Sequence, residues 1–345
     1  MIRRAFMTKV AAATLAVGMA PGLASAQEVT LRLHQFLPPV ATVPAKILKP
    51  WGEQVEAASD GRIKIEHYDA MSLGGRPPEL IDQAIDGVAD IIMTVVGYTP
   101  GRYPKTEVFE LPFMMTSPVA TSLAFQDLVE TELQNEEYKD MKVLGAWVHG
   151  PGVIHSDKPI TSVEDMEGVK MRGPTRVIND MLKELGAVPV GMPLPAIPEA
   201  LSKGVVNGTV IPWEVTPAIR VAELVTNHTE FTGDESIYTA TIIMVMNKEK
   251  YESLPDDLKA VIDAESGMKL SEFAARVMWD GDAPGRKIAV DGGNNIVQLP
   301  PEEVARFKEK AKPVTERWIA DMESKGIDGV ALIEQAKELI KKHGG

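Results

Sequence analysis

The sequence predicts an α/β protein made of two lobes, each with a mostly parallel sheet covered by helices. Three observations predict this fold class. Short apolar, strand-like runs alternate with longer segments of helical period. The alternation stops at the run His-Gly-Pro-Gly over 149–152 and then starts again. The chain of 345 residues is also long enough for about two domains.

The first half reads as strand, helix, strand, helix and strand. Apolar and polar side chains alternate in the first two strands, as in a half-buried sheet, and the third strand is apolar throughout. Pro50 predicts a kink in the first helix, Gly61 lies in the turn that ends it, and Gly87 ends the second helix. The predicted strands are 29–33, 63–65 and 89–95, and the predicted helices are 44–58 and 77–86.

The second half repeats this rhythm and then becomes mainly helical. Ser162 and Asp165 have the spacing of a helix start, and Gly168, Gly186 and Gly204 end successive segments. No flexible linker separates the halves, which predicts strands that cross between lobes and a ligand site in the crevice. The predicted strands are 169–171, 188–190 and 209–211, and the predicted helices are 175–185, 196–203, 255–277, 301–322 and 330–342.

The amino terminus has the composition of a secretory signal peptide. A basic start with Arg3, Arg4 and Lys9 precedes an apolar run and the small residues 24–26. We expect cleavage after Ala26 and delivery of the rest of the chain to the periplasm. Loss of the three basic residues would change the formal net charge from −13 to −16, which disfavours nucleic acid as a partner.

Motifs for catalysis are missing from the sequence. It has no cysteine, no glycine-rich nucleotide loop, no Gly-x-Ser-x-Gly elbow and no His-Glu-x-x-His, and its six histidines are scattered. We therefore expect no cofactor, no metal ion and no catalytic residues, so the protein is not predicted to be an enzyme. A lyase or hydrolase remains an alternative because residues brought together only by folding leave no local motif.

A set of motifs is spread over most of the chain. The main one is ITSVEDMEGVKMRGP at 160–174, followed by LGAVPVGMP at 185–193 and EALSKGVVNG at 199–208. The first half contains LGG at 73–75, DGVAD at 86–90 and FELPF at 109–113. These motifs and their order resemble those of the solute-binding proteins of TRAP transporters, the DctP-type family, and the kept order makes the set more specific than any one motif.

The resemblance implies a two-lobed periplasmic-binding-protein fold with hinge-crossing strands and a long kinked helix late in the chain. Lobe I is expected over 27–149 and 238–281, and lobe II over 150–237 and 282–345. Such proteins close around a small organic acid and deliver it to two membrane subunits. The resemblance also implies that Arg172 pairs with the ligand carboxylate through two hydrogen bonds. Its position at a strand end before Gly173-Pro174 favours the same role.

Other side chains at or beyond strand ends are candidates for the crevice. Aromatic ones could cover a ring or an aliphatic tail, and polar ones could orient a hydroxyl or keto group. The candidates are Gln35, Phe36, Tyr98, Trp147, His149, Asn207, Ile211, Trp213 and Glu214.

Two departures from the family limit the prediction of the ligand. Sialic-acid-type members have a second arginine where this chain has Gly152, and aspartate is common where it has Asn207. We expect a monomer that binds a monocarboxylate, aromatic or with a 2-hydroxy or 2-oxo group. A C4-dicarboxylate is the alternative, and a sensor with the same site is not distinguished from a transport protein.

Overall fold

The structure is a computed structural model that describes residues 28–345. The expected signal peptide, residues 1–26, lies outside the described residues. Two mixed sheets flanked by helices confirm the predicted α/β fold with two lobes. Within residues 28–345, no helix has both the length and the hydrophobicity needed to cross a bilayer.

The strands are β1 (Val29–Gln35), β2 (Ile63–Tyr68), β3 (Ile91–Val95), β4 (Met141–Val148), β5 (Val153–Ser156), β6 (Lys170–Gly173), β7 (Val188–Gly191), β8 (Gly208–Ile211), β9 (Asn227–Phe231), β10 (Thr241–Asn247) and β11 (Asn295–Leu299). The α-helices are α1 (Lys49–Ala58), α2 (Leu80–Ile85), α3 (Pro118–Thr131), α4 (Arg176–Glu184), α5 (Ile197–Ser202), α6 (Val221–Leu224), α7 (Lys248–Glu252), α8 (Asp256–Ala264), α9 (Met268–Asp291), α10 (Pro301–Ser324) and α11 (Gly329–Lys342).

Each lobe has one sheet, and in each sheet most strands are parallel. The sheet of lobe I has the order β2-β1-β3-β10-β4, in which β10 runs antiparallel to both neighbours. The sheet of lobe II has the order β11-β9-β5-β8-β6-β7, in which β5 runs antiparallel to both neighbours. The two antiparallel strands, β5 and β10, are the first strands after the chain crosses from one lobe to the other.

The chain crosses between the lobes in several places. Residues 149–152 connect β4 of lobe I to β5 of lobe II, and residues 232–240 connect β9 back to β10. Helix α9 packs on α3 and β4 of lobe I and on the 3-10 turn Trp213–Val215 of lobe II. It contains Pro284 and is the long late helix that the family resemblance implied.

Three details differ from the sequence-based expectations. The helix expected over 255–277 is two helices, α8 and α9, because the backbone at Gly267 has a positive φ of 64°. Pro50 lies in the first turn of α1, after a π-helical turn at Pro44–Leu48, where its missing N–H costs little. Helix α11, which the expected division places in lobe II, packs on α3 of lobe I as well as on α10.

The two lobes touch across the crevice. The backbone N–H of Leu194 in lobe II donates to the hydroxyl of Tyr98 in lobe I at 3.0 Å. A Cβ atom on Gly97 would lie 2.4 Å from Cγ2 of Thr175, so only glycine allows the lobes to approach this closely. The described conformation is therefore closed.

Candidate ligand-binding site

Arg172 lies near the carboxyl end of β6 and is 1% exposed. Its Nε donates to the carbonyl oxygen of Met192 at 2.9 Å, and its Nη1 donates to that of Val210 at 3.3 Å. Its Nη2 is buried and has no hydrogen-bond partner within the described residues. The backbone thus holds two of the guanidinium nitrogens and leaves the third free to donate.

The described residues supply no carboxylate to Arg172. Burial is the main influence on its pKa and lowers it, while the hydroxyl groups of Tyr98 and Tyr238 act in the opposite direction. A guanidinium stays protonated even when it is buried. An unpaired buried cation costs about several kcal/mol in real proteins. The site is therefore electrostatically incomplete until an anion binds.

Two aromatic side chains of lobe I lie beside this cation. Tyr98 follows β3, and its charge interaction with Arg172 is the second influence on its pKa after burial. Its ring packs against Phe36, with 5.4 Å between the ring centroids. Both side chains are less than 9% exposed, so they form a dry aromatic wall on the lobe I side.

His149 adds a neutral polar group to the same region. Its Nδ1 donates to the carbonyl of Gly150 at 2.6 Å, and its Nε2 accepts from the backbone N–H of Ala240 at 3.0 Å. Burial, the Gly150 bond and the charge of Arg172 all act on its pKa, and the net result is a fall to about 4. The imidazole therefore carries no charge near neutral pH.

Some buried polar side-chain atoms have no partner within residues 28–345. The charge of Arg172 acts on the hydroxyl of Tyr238. Thr209 lies opposite Arg172 where β8 pairs with β6. Buried polar atoms normally find partners, so a cluster of open ones around a cation is the mark of a polar ligand site. The open atoms associated with Arg172 are Tyr238 OH and Thr209 Oγ1, and open atoms elsewhere in the described residues include Trp147 Nε1, Glu110 Oε2 and Glu214 Oε1.

The structure brings together four of the candidate residues. Phe36, Tyr98 and His149 lie around Arg172 through the ring contact and the charge interactions described above. Trp147 and Ile211 are buried at the ends of β4 and β8, and Ile211 directly follows the residue whose carbonyl accepts from Arg172.

Two polar candidates have side chains that are bound elsewhere. The amide nitrogen of Gln35 donates to the carbonyl of Leu37 at 2.8 Å and to Oδ1 of Asp69 at 2.7 Å. The amide nitrogen of Asn207 donates to Oδ2 of Asp157 at 3.0 Å, and Asn207 precedes β8 rather than following it. The contacts of both side chains are structural.

Trp213 takes part in a buried network behind the crevice. Its Nε1 donates to Oε1 of Glu230 at 2.9 Å, and its ring lies 4.9 Å from the rings of His155 and His228. The two histidines are joined through their Nδ1 atoms at 2.7 Å. The side chain of Trp213, which follows β8, thus contacts β5 and β9, and none of these contacts involves Arg172.

Glu214 lies at the contact between lobe II and α9. Its backbone N–H donates to Oδ1 of Asp282 at 2.7 Å. Burial, reinforced by the charge of Asp282, raises the pKa of Glu214 to about 8, and burial raises the pKa of Asp282 to about 7. No group of three or more potential metal-ligating side chains occurs in the part of the chain that the structure describes.

A second concave surface lies on the hinge side of the molecule. It is a groove of about 1040 Å³ lined in part by Trp279 and Arg286. The guanidinium of Arg286 is paired with Glu230 at 2.6 Å, so its charge is already neutralised. Of the two sites, only that of Arg172 offers an unpaired cation.

The sequence-based reasoning missed Tyr238 and Thr209. Tyr238 lies in the crossing segment 232–240, which shows no strand or helix period, and nothing local marks it as a crevice residue. Thr209 was assigned to a strand, but its position opposite Arg172 depends on a register that the sequence does not reveal.

The chain matches the model of one protein family, DctP, described as bacterial extracellular solute-binding protein, family 7, over residues 37–321. That range includes both lobes and Arg172. The chain belongs to this family.

Solved structures of family members are similar to this chain over nearly their whole length. A TRAP solute-binding protein from Rhodoferax ferrireducens T118, in complex with copurified benzoate, is 49% identical and has a TM-score of 0.89, with 91% of this chain and 98% of that chain covered. A marine metagenome TRAP solute-binding protein specific for aromatic acids, with 3-hydroxybenzoate, is 48% identical with a TM-score of 0.90, covering 92% and 100%.

A more distant member has a related ligand. The TRAP periplasmic solute-binding protein from Bordetella bronchiseptica, with bound mandelate, is 30% identical and has a TM-score of 0.83, with 91% of this chain and 99% of that chain covered. The resemblance to TRAP solute-binding proteins is thus confirmed, and so is the two-lobed family fold. This chain is a solute-binding protein of the DctP family, whose members work in transport.

Proposed function

We propose that this protein binds an aromatic monocarboxylate in the periplasm and delivers it to the membrane subunits of a TRAP transporter. The observation that supports this most is the buried guanidinium of Arg172, which has an open donor and no acidic partner in the described chain. A carboxylate is the planar anion that this donor geometry fits.

The aromatic part of the ligand is assigned to the crevice wall formed by Phe36 and Tyr98. Their buried rings offer an apolar surface beside the cation, which suits a ring attached to a carboxylate. Among the ligands of the three related structures, benzoate and 3-hydroxybenzoate have a ring attached directly to a carboxylate, and mandelate has one hydroxyl-bearing carbon between the two. His149, Trp147 and Ile211 are assigned to the rest of the wall. Gln35, Asn207 and Trp213 are left out because of the structural contacts of their side chains. Glu214 is left out because it lies at the contact with α9 and its acidic side chain, once ionised, would repel a carboxylate.

Calorimetric titration with benzoate tests the proposal. Arg172→Ala should weaken binding by roughly 30-fold to several-thousand-fold, because the ligand carboxylate then lies buried without a counter-charge. Arg276→Ala is the matched control, since that side chain is 61% exposed and its one ionic partner among residues 28–345 is Glu272, one turn away. Equal affinity of Arg172→Ala and the native protein would remove the assignment.

The same samples separate the alternatives. A transport protein releases benzoate unchanged, whereas a lyase or hydrolase would convert it, so mass spectrometry of the ligand after long incubation distinguishes them. Titration with succinate tests the C4-dicarboxylate alternative in parallel.

A further inference from the structure

Tyr238 is held in one orientation by both crossing segments of the hinge. Its carbonyl oxygen accepts from the backbone N–H of Gly152 at 3.1 Å and from the hydroxyl of Ser236 at 2.8 Å. Its ring meets the edge of His149, with 5.4 Å between centroids. The side chain is 1% exposed, so the ring has no freedom to turn towards solvent.

The hydroxyl of Tyr238 is buried and has no hydrogen-bond partner within the described residues. Burial, opposed by the charge of Arg172, raises its pKa far above the ordinary value, so the group keeps its proton. It is therefore a fixed donor, and its pKa responds to the charges of Arg172 and Glu110, which places the phenol in the neighbourhood of both side chains. An open donor in a dry site costs free energy unless a ligand acceptor meets it.

Gly152 makes room for this ring. A Cβ atom on Gly152 would lie 2.1 Å from Cε1 and 2.3 Å from Cδ1 of Tyr238, which is far inside contact distance. No side chain at position 152 can coexist with the ring where it now lies. Gly152 and Tyr238 are on different crossing segments. Because their positions overlap, a side chain at position 152 and the ring of Tyr238 in its present place exclude each other.

The charge count of the crevice limits the ligand. Arg172 is the only lysine or arginine among the buried residues of 28–345. The phenol of Tyr238 adds a neutral donor rather than a second cation. A second carboxylate enclosed here would lack a counter-charge, and an unpaired buried charge is strongly unfavourable.

We propose that Tyr238 is a specificity-determining residue that donates its hydroxyl hydrogen to the ligand carboxylate beside Arg172, and that Gly152 is the positioning residue that admits its ring. This inference rests on the proposed function and narrows it: the closed site accepts a single carboxylate, bound by one guanidinium and one phenol. Dicarboxylates are excluded because Arg172 is the one buried cation of the described residues, and the ring of Tyr238 occupies the space that a side chain at position 152 would need.

The test is a titration series with benzoate and succinate. The native protein should prefer benzoate over succinate by at least about 100-fold, the usual scale for an unpaired buried charge. Tyr238→Phe keeps the ring and removes only the donor, so benzoate should bind about 10-fold or more weakly, as for a lost hydrogen bond to a charged group. Tyr251→Phe is the control, because its hydroxyl bonds Asp263 far from this site and its loss should leave affinity unchanged.

The role of Gly152 is tested by a double-mutant cycle. Gly152→Ala should weaken benzoate binding at least as much as Tyr238→Phe, because the added methyl group displaces the ring. In a Tyr238→Ala background the same substitution should have little effect, which a general loss of folding would not reproduce. Thermal unfolding of each variant checks that the fold is retained.

The outcomes separate this inference from the function on which it rests. If Arg172→Ala abolishes benzoate binding while Tyr238→Phe binds normally, the inference is wrong and the proposed function stands. Equal affinity of the native protein for succinate and benzoate also overturns it. If the native protein binds neither acid, the proposed function itself fails.

Discussion

Two arginines four residues apart in lobe II have opposite surroundings. Arg172, near the end of β6, is buried, and none of the described residues offers it a carboxylate. Arg176, the first residue of α4, is 32% exposed in its side chain and has two acidic partners. Its Nε donates to Oε1 of Glu107 in lobe I at 3.1 Å, with a second bond to Oε2, and Asp321 lies 3.0 Å away.

The difference shows how one short segment can serve two purposes. Burial opposes the charge of Arg176, but Glu107 and Asp321 outweigh it and raise its pKa, whereas burial lowers the pKa of Arg172. Arg176 is paired with acidic side chains and joins the two lobes, so its charge is not available to a ligand. Arg172 has no acidic partner among the described residues, so a ligand carboxylate can pair with it. Binding at the floor of the crevice and closure at its rim are thus assigned to neighbouring side chains.

The largest expected difference in benzoate affinity is the one between Arg172→Lys and Arg176→Lys. Arg172→Lys keeps the charge but loses the planar fork and its bonds to two carbonyls, so benzoate should bind at least about 10-fold more weakly. Arg176→Lys keeps an ion pair at a partly exposed site and should change affinity by less than about 3-fold. Isothermal titration of both variants measures this. Similar losses in the two variants would contradict the division of roles.

A smaller effect is expected from the lobe I partner of Arg176. Glu107→Gln removes the charge of a buried carboxylate that pairs with Arg176 of lobe II in the closed conformation described here, so we expect that conformation to become less populated. We expect benzoate to bind about 1.5- to 5-fold more weakly, the range for a partly exposed ion pair.

The loss in Glu107→Gln should appear mainly as faster dissociation, which stopped-flow tryptophan fluorescence can follow. Glu136→Gln is the control, because Glu136 pairs only with Lys105 of the same lobe. An unchanged dissociation rate in Glu107→Gln would show that the rim contact does not hold the lobes together.

The smallest effect concerns the pH response of His149. Its folded pKa of about 4 lies below the unfolded value of about 6.5, so it contributes stability that is present above pH 6.5 and is lost as the pH falls towards 4. Arg172→Met removes the charge that helps to lower this pKa, so the loss between these pH values should become smaller. Arg176→Met should leave it unchanged, because Arg176 does not act on His149.

Thermal unfolding measured from pH 7 to pH 4 checks this last prediction. The decrease in melting temperature on acidification should be smaller for Arg172→Met than for the native protein and for Arg176→Met. An equal or larger decrease in Arg172→Met would mean that the charge of Arg172 does not lower the pKa of His149.

The sequence predicted the features that depend on local pattern or on family motifs. Arg172 could be found because the strand end, the following Gly-Pro and the long motif coincide. The contact between Arg176 and Glu107 could not, since 69 residues separate the partners and both look like ordinary surface charges. The contact between Tyr238 and Gly152 was missed for a similar reason. It arises where two crossing segments meet, and neither segment shows the hydrophobic periodicity of a strand or a helix.

Errors in the helices have equally specific causes. A run of helix-forming residues over 255–277 hid the positive φ at Gly267, although the glycine itself was a visible signal. The contact of α11 with α3 was not predicted, because the chain returns to α3 after α10 and sequence order does not reveal such a return. Asn207 and Gln35 were chosen for their polarity, which does not tell whether a side chain is already hydrogen-bonded within the protein.

The inverted strand of lobe I has a consequence for how the molecule assembles. β10 lies between β3 and β4, yet β4 ends at residue 148 and β10 begins at residue 241, after most of lobe II. A chain synthesised from its amino end therefore leaves a gap in its first sheet until the other half has been made. Fragments covering 28–148 would present two unpaired strand edges to solvent and should aggregate rather than fold.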